Sequence, residues 1–228
     1  YNEILVDLDH AFQENLKTIS ERTDIKKDTS IVYTPLHGAG YRPVMEGLKS
    51  AGYTNIHVVE EQAVQDGNFP TVPYPNPENA IAFKMAMELG KKVSADLLLA
   101  TDPDSDRLGV AVRSNEGYQL LTGNQVGALV TDYLIKAKIE KNSLPSNAVL
   151  IKTIVTAELG ARIARNYHVE TMNTLTGFKY IAEKIEEFQQ TGSHSYLFGY
   201  EESYGYLVKS YARDKDAVQM ALLVAEIA

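Results

Sequence analysis

Three aspartates, Asp102, Asp104 and Asp106, occupy alternate positions directly after an apolar run, in the stretch ATDPDSDR. Carboxylates this close repel one another unless a cation lies among them. An all-oxygen donor set suits Mg2+ or Ca2+. A calcium loop of the EF-hand type is excluded, because its sixth position needs Gly and its twelfth Glu, and here these are Arg107 and Arg113. Two readings remain, a solvated acidic turn and a divalent-metal loop. Arg107 follows the last aspartate at once. Its guanidinium can pair with a neighbouring aspartate or receive a phosphate dianion beside a metal. A second acidic turn, YEESYG at 200–205, carries Glu201 and Ser203. Taken alone, it is as readily a plain surface turn.

The elements that must hold these loops follow from periodicity. Apolar residues at helical spacing, among them Ile4, Leu5, Leu8, Phe12, Leu16 and Ile19, predict an entry helix over 3–19. Short apolar runs then alternate with helical patterns. Strands are expected at 31–33, 56–59, 96–100 and 108–112, with helices at 41–51 and from Pro77 to about 89. The Gly- and Pro-rich stretch 60–77 reads as a loop. The second half repeats the order, with strands at 148–154, 168–172, 195–198 and 205–208 and helices at 124–138, 156–166, 177–189 and 215–228. Alternation of this kind predicts two similar three-layer α/β/α domains, each with a mixed, largely parallel sheet. The first unit is expected to run out of strands near 118–122, which divides the chain into domains at 1–119 and 120–228. In each half the last two strands are joined by an acidic loop. Loops leaving the carboxyl ends of strands gather ligands in open α/β sheets, so the two could face one cleft.

Composition bounds the partners. A formal charge of −8 disfavours nucleic acid, which requires a basic footprint, yet leaves room for a phosphorylated ligand held by local cations. The chain has no cysteine, which excludes disulfides and thiolate sites and fits a reducing cytoplasm. No apolar run is long enough to span a membrane. The chain does not begin with Met, and its last residues, DAVQMALLVAEIA, are an apolar helical pattern with no stop signal. Both features are expected of a piece of a longer protein.

ATDPDSDRLGVAV resembles the metal-binding loop of the α-D-phosphohexomutases, the phosphoglucomutase and phosphomannomutase family, whose pattern is Asp-x-Asp-x-Asp-Arg after a strand. FGYEESYGY resembles that family's sugar-binding loop, with Tyr200 where Gly is common. RDKDAV at 213–218 and LTGFKY at 175–180 are similar to two further substrate loops. TPLHGAG at 34–40 is similar to the opening of domain II; its glycines do not form a dinucleotide fingerprint, because Pro43 stands where the third Gly is needed. The resemblance implies domains II and III of a four-domain enzyme that interconverts hexose 1-phosphate and hexose 6-phosphate, on glucose or mannose, through a phosphoserine and a hexose 1,6-bisphosphate. It implies Mg2+ on Asp102, Asp104 and Asp106. Glu201 and Ser203 would hold sugar hydroxyls, accepting and donating hydrogen bonds. Arg107, Thr176 and Gly177 would contact substrate, and Lys215 would assist proton transfer; apart from the resemblance, Lys152, at the end of a strand in IKTIV, is a further phosphate-binding candidate. The plainer reading of Thr176 is a helix N-cap. The phosphoserine of domain I and the phosphate cradle of domain IV are not in this sequence, so the piece alone is expected to be inactive. The alternatives are a Mg2+-dependent sugar-phosphate phosphatase and a non-catalytic sugar-phosphate-binding module.

Overall fold

The computed structural model describes residues 6–228; Ile4 and Leu5 of the expected entry helix lie outside them. That helix, α1, is Val6–Leu16. The first sheet has five strands in the order β2-β1-β3-β4-β5, namely β1 (Ile31–Thr34), β2 (Ile56–Val58), β3 (Leu97–Thr101), β4 (Leu108–Ser114) and β5 (Gly117–Leu121). β1 runs parallel to β2 and β3, while β4 and β5 return antiparallel. The second sheet has the order β7-β6-β8-β9, from β6 (Ala148–Thr153), β7 (Glu170–Thr174), β8 (Ser195–Tyr200) and β9 (Tyr206–Leu207). β6 is parallel to β7 and β8, and β9 is antiparallel. Both halves thus share one topology and are mixed α/β sheets covered by helices. The first adds β5. That strand was not among the expected ones, and it crosses the expected division at 119/120. The helix after it, α5 (Gly123–Glu140), opens with a capping box between Thr122 and Gln125.

The central strands of each sheet are buried on both faces, so their successive side chains enter different cores. Ile31, Tyr33, Leu97 and Leu99 join one cluster, and Val32, Leu98 and Ala100 the other. The second cluster packs under α4 (Lys84–Val93), beyond the short helix α3 (Glu60–Ala63). In the second sheet Val149 and Ile151 face α7 (Phe178–Thr191). Leu150 and Phe198 face the cluster already shared with the first sheet. Between the two lies α8 (Ala217–Ile227), whose residues from Ala217 to Glu226 are all buried. Its Leu222 presses on Gly47 of α2 (Tyr41–Ser50), where an added Cβ would meet the leucine at 2.9 Å.

Three further expectations shift. The helix expected from Pro77 begins later, as a 3-10 turn at Ala80–Phe83 running into α4, because Asn79 adopts the extended cap geometry and accepts from the Ile81 N–H. The stretch 60–77 is not wholly loop, since it begins with α3. The helix α6 (Leu159–Asn166) ends where His168 takes a left-handed φ of 58°, with the Val169 N–H closing on the Ala164 carbonyl. That turn delays β7 to Glu170.

Candidate active site

The aspartate loop is shaped from below. Residues 102–107 join β3 to β4, and Ser105 sits at φ 59°. The 34–40 turn lies against this loop. The Ala39 N–H donates to the Pro103 carbonyl at 2.8 Å, and a Cβ on Gly38 would collide with the Pro103 backbone. Gly38 is therefore glycine because another main chain passes where its side chain would be. Asp102 is 8% exposed, and one of its carboxylate oxygens accepts the N–H groups of Asp106 and Arg107 at 3.1 and 2.9 Å. Asp102, Asp104 and Asp106 each bring a carboxylate oxygen within 4.8 Å of the others. Burial pushes the Asp102 carboxyl up to about 7; the Arg107 N–H opposes this, and the charges of Asp106 and Asp104 add to it. A hard dication suits such a donor set, because it would relieve the repulsion while exchanging water for oxygen ligands.

The sugar-loop candidate joins β8 to β9 and lies beside the aspartate loop. Arg107 and Gly205 form an antiparallel bridge, the Leu108 N–H donates to the Tyr204 carbonyl at 3.1 Å, and the Ala217 N–H donates to the Ser105 carbonyl at 3.1 Å. The two acidic loops share main-chain hydrogen bonds across the halves of the molecule. Lys215 extends over Gly205 and places its ammonium 2.7 Å from Asp106. Burial alone would lower the lysine pKa, but its hydrogen bond to Asp106 and the surrounding carboxylates outweigh this and hold it above the ordinary value. Glu201 is 6% exposed and brings a carboxylate oxygen to the same face of Gly205, 3.0 Å from where a Cβ would stand. Burial raises its pKa, against the opposing pull of Lys215 and the Gly177 N–H. That N–H brings the 175–177 turn to the same place. Ser203 is half-buried, on the loop between them.

Two sequence-predicted residues have other surroundings. Thr176 is exposed and is not the helix cap: Gly177, at φ 117°, is the N-cap of α7, with no side-chain cap bond. The left-handed region at that position favours glycine over a hydroxyl residue. Lys152 is fully buried, its ammonium donating to the Thr156 carbonyl at 2.9 Å and paired with Glu158 at 2.8 Å. Tyr200, where the family pattern commonly has Gly, ends β8 and lies in a slot where an added Cβ on Gly127 or Gly160 would strike its ring or hydroxyl.

Sequence reasoning missed Glu78 and Glu202. Glu78 accepts from the Arg107 guanidinium at 2.7 Å. It lies in Pro-Asn-Pro-Glu-Asn, where an acid after the proline suits a helix start and gives no sign of a partner 29 residues away. Glu202 accepts from the hydroxyls of Thr153 and Thr156 at 3.1 and 3.0 Å and so ties the sugar-loop candidate to the end of β6.

Comparison with known proteins supplies the lineage. The profile for phosphoglucomutase/phosphomannomutase α/β/α domain II matches residues 10–117, and that for domain III matches residues 122–228. A phosphoglucomutase of Staphylococcus aureus strain MRSA252 is 42% identical over 204 residues, which are 89% of this chain and 36% of the relative. A phosphomannomutase of Mycoplasmoides pirum is 37% identical over 223 residues, 97% of this chain and 40% of the relative. The chain thus spans well under half the length of these relatives. The crystal structure of Aspergillus fumigatus N-acetylphosphoglucosamine mutase in complex with GlcNAc-6P and magnesium has the same fold, with a TM-score of 0.64 over 96% of this chain and 50% of that one, at 14% identity. With both α/β/α profiles matched in order along a chain whose two sheets share one topology, the protein belongs to the phosphoglucomutase/phosphomannomutase family, as its middle domains II and III.

Proposed function

We propose that this chain carries the metal-binding and sugar-binding loops of a hexose-phosphate mutase, and that its two domains divide between Leu121 and Thr122. The parent enzyme would interconvert hexose 1-phosphate and hexose 6-phosphate, with glucose or mannose as the sugar, through a phosphoserine and a hexose 1,6-bisphosphate. The serine and a second phosphate cradle would come from domains I and IV. The observation that carries this reading is the hydrogen-bonded union of the two acidic loops through Arg107–Gly205 and Leu108–Tyr204, with Lys215 spanning from one to the other. A separate phosphatase site or a simple sugar-binding module has no need of that union.

Asp102, Asp104 and Asp106 would hold Mg2+. When bound, Mg2+ supplies a Lewis acid that stabilises charge on the transferring phosphoryl group. The remaining work falls to the chain's own groups. Arg107 and Lys215 flank the aspartates as fixed positive charges and would orient the phosphoryl oxygens. Glu201, kept in place between Lys215 and the Gly177 N–H, would accept from two sugar hydroxyls while Ser203 donates to a third oxygen. Lys215, held protonated by Asp106, would hold or return a proton at the sugar hydroxyl that exchanges phosphate. Thr176 and Gly177 open α7 beside this site, where the Thr176 hydroxyl would be offered to a phosphate while the Gly177 N–H holds Glu201. Lys152, enclosed by Glu158 and two carbonyls, would act through the loop it supports.

The test is Mn2+ binding to the purified chain, followed by spin resonance, for the wild type and Asp104→Ala. Saturable binding that the substitution lowers at least tenfold is expected. No saturable binding by the wild type, or equal binding by the variant, would overturn the metal assignment.

A further inference from the structure

Arg107 has an unexpected partner. Its guanidinium stands 3.8 Å from Asp102 and 3.7 Å from Asp106 through Nε, yet its close hydrogen bond, from Nη1 at 2.7 Å, goes to Glu78. Among the described residues no hydrogen bond leaves Nη2. The segment bearing Glu78 is built with unusual care for an exposed loop. Asn76 accepts from the Glu78 N–H at 2.9 Å. Asn79 accepts from Ile81. Pro77 fills the space above Gly109, where a Cβ would meet it at 2.7 Å. Farther back, His37 bridges the Val64 carbonyl and the Thr71 hydroxyl, both at 2.8 Å, and fixes the start of the loop to the 34–40 turn.

We propose that Glu78 is a positioning residue that holds Arg107 away from the metal-binding carboxylates. The inference rests on the metal reading given above. An arginine beside three aspartates has a nearer alternative to a phosphate, a bidentate pair with Asp102 or Asp106, which would occupy oxygens the cation needs. Glu78 draws one edge of the guanidinium outward, so that the aspartates remain available to Mg2+ and the Nη2 edge remains available to a phosphoryl oxygen. Without Glu78, the attraction to the aspartates is unopposed and Arg107 closes on them.

The experiment is a double-mutant cycle read by Mn2+ spin resonance on the purified chain, using the wild type, Glu78→Gln, Arg107→Gln and the double variant. Glu78→Gln is expected to weaken Mn2+ binding about fivefold, and the same substitution in the Arg107→Gln background to change it less than about twofold. This coupling separates the proposal from a general loss of negative charge, which would weaken binding equally in both backgrounds and would overturn it. Unchanged binding in Glu78→Gln would also overturn it and leave the metal reading intact. Absence of Mn2+ binding by the wild type would remove both. A circular dichroism melt of each variant accompanies the cycle, and Glu78→Asp, which keeps the charge, is expected to restore part of the lost affinity.

Discussion

At the scale of single residues, the site depends on positions where a side chain is missing as much as on those that carry charge. Gly38 lets the backbone of Pro103 rest on the 34–40 turn, and that contact sets the height of the aspartate loop. Gly38→Ala is expected to cost about 1–3 kcal/mol through overpacking against main chain that cannot swing aside, and to lower Mn2+ affinity as the loop is displaced. Gly67→Ala is the control, since nothing lies within 4 Å of its added Cβ. Equal urea midpoints and equal Mn2+ affinities for the two variants would refute this account of the loop.

At the scale of elements, α8 connects Lys215 to the core. Asp216 caps the helix, accepting from the N–H groups of Val218 and Gln219 at 2.9 and 3.0 Å. Its own N–H donates to the Tyr206 carbonyl, and the next N–H reaches Ser105. Lys215 is thereby positioned by a helix start fastened to the aspartate loop and to the start of β9. Asp216→Ala is expected to destabilise the protein by about 1–2 kcal/mol, the upper range for a cap because the residue is buried. A urea midpoint within error of the wild type would show that the cap does not hold the helix start. The helix is apolar on all sides because it is enclosed by α2, α5 and the first sheet.

At the scale of the molecule, the halves are joined away from the site as well as at it. Glu226 near the end of α8 accepts from the main-chain N–H groups of Glu21 and Arg22 and from the Tyr133 hydroxyl, all within 2.9 Å. Glu21 in turn pairs with Lys138 at 2.9 Å and Lys209 at 3.4 Å. Burial pushes Glu21 up, but the hydrogen bond from Lys138 and the charges of Lys209 and Lys138 outweigh burial, so it titrates below its ordinary 4.5. Because the folded value is the lower one, the contribution is full above the unfolded value and is lost as pH falls through the folded one. Glu21→Gln is therefore expected to be less stable than wild type at about pH 6, with the gap closing towards about pH 3. A gap in urea midpoint that stays constant, or widens on acidification, would contradict the pairing.

The sequence by itself determined the alternation of strands and helices, the two-sheet architecture and the positions of both acidic loops. Each depends on local spacing: period two or 3.6 in apolar residues, carboxylates at alternate positions after a strand, turn residues between. β5 was lost because Gly-Tyr-Gln-Leu-Leu on a sheet edge is only half-buried and shows no strong alternation. The delayed start after Pro77 was lost because Asn79 competes as a cap, and a cap's outcome depends on backbone angles that composition does not reveal. Tertiary structure alone decided the pairing of Arg107 with Glu78, the reach of Lys215 to Asp106, and the enclosure of Lys152 by Glu158. It also decided that α8, last in the chain, packs against α2 of the first half. Contacts between residues 29 or 109 positions apart leave no periodic trace in a single sequence; they arise only when strand order brings two loops to the same edge.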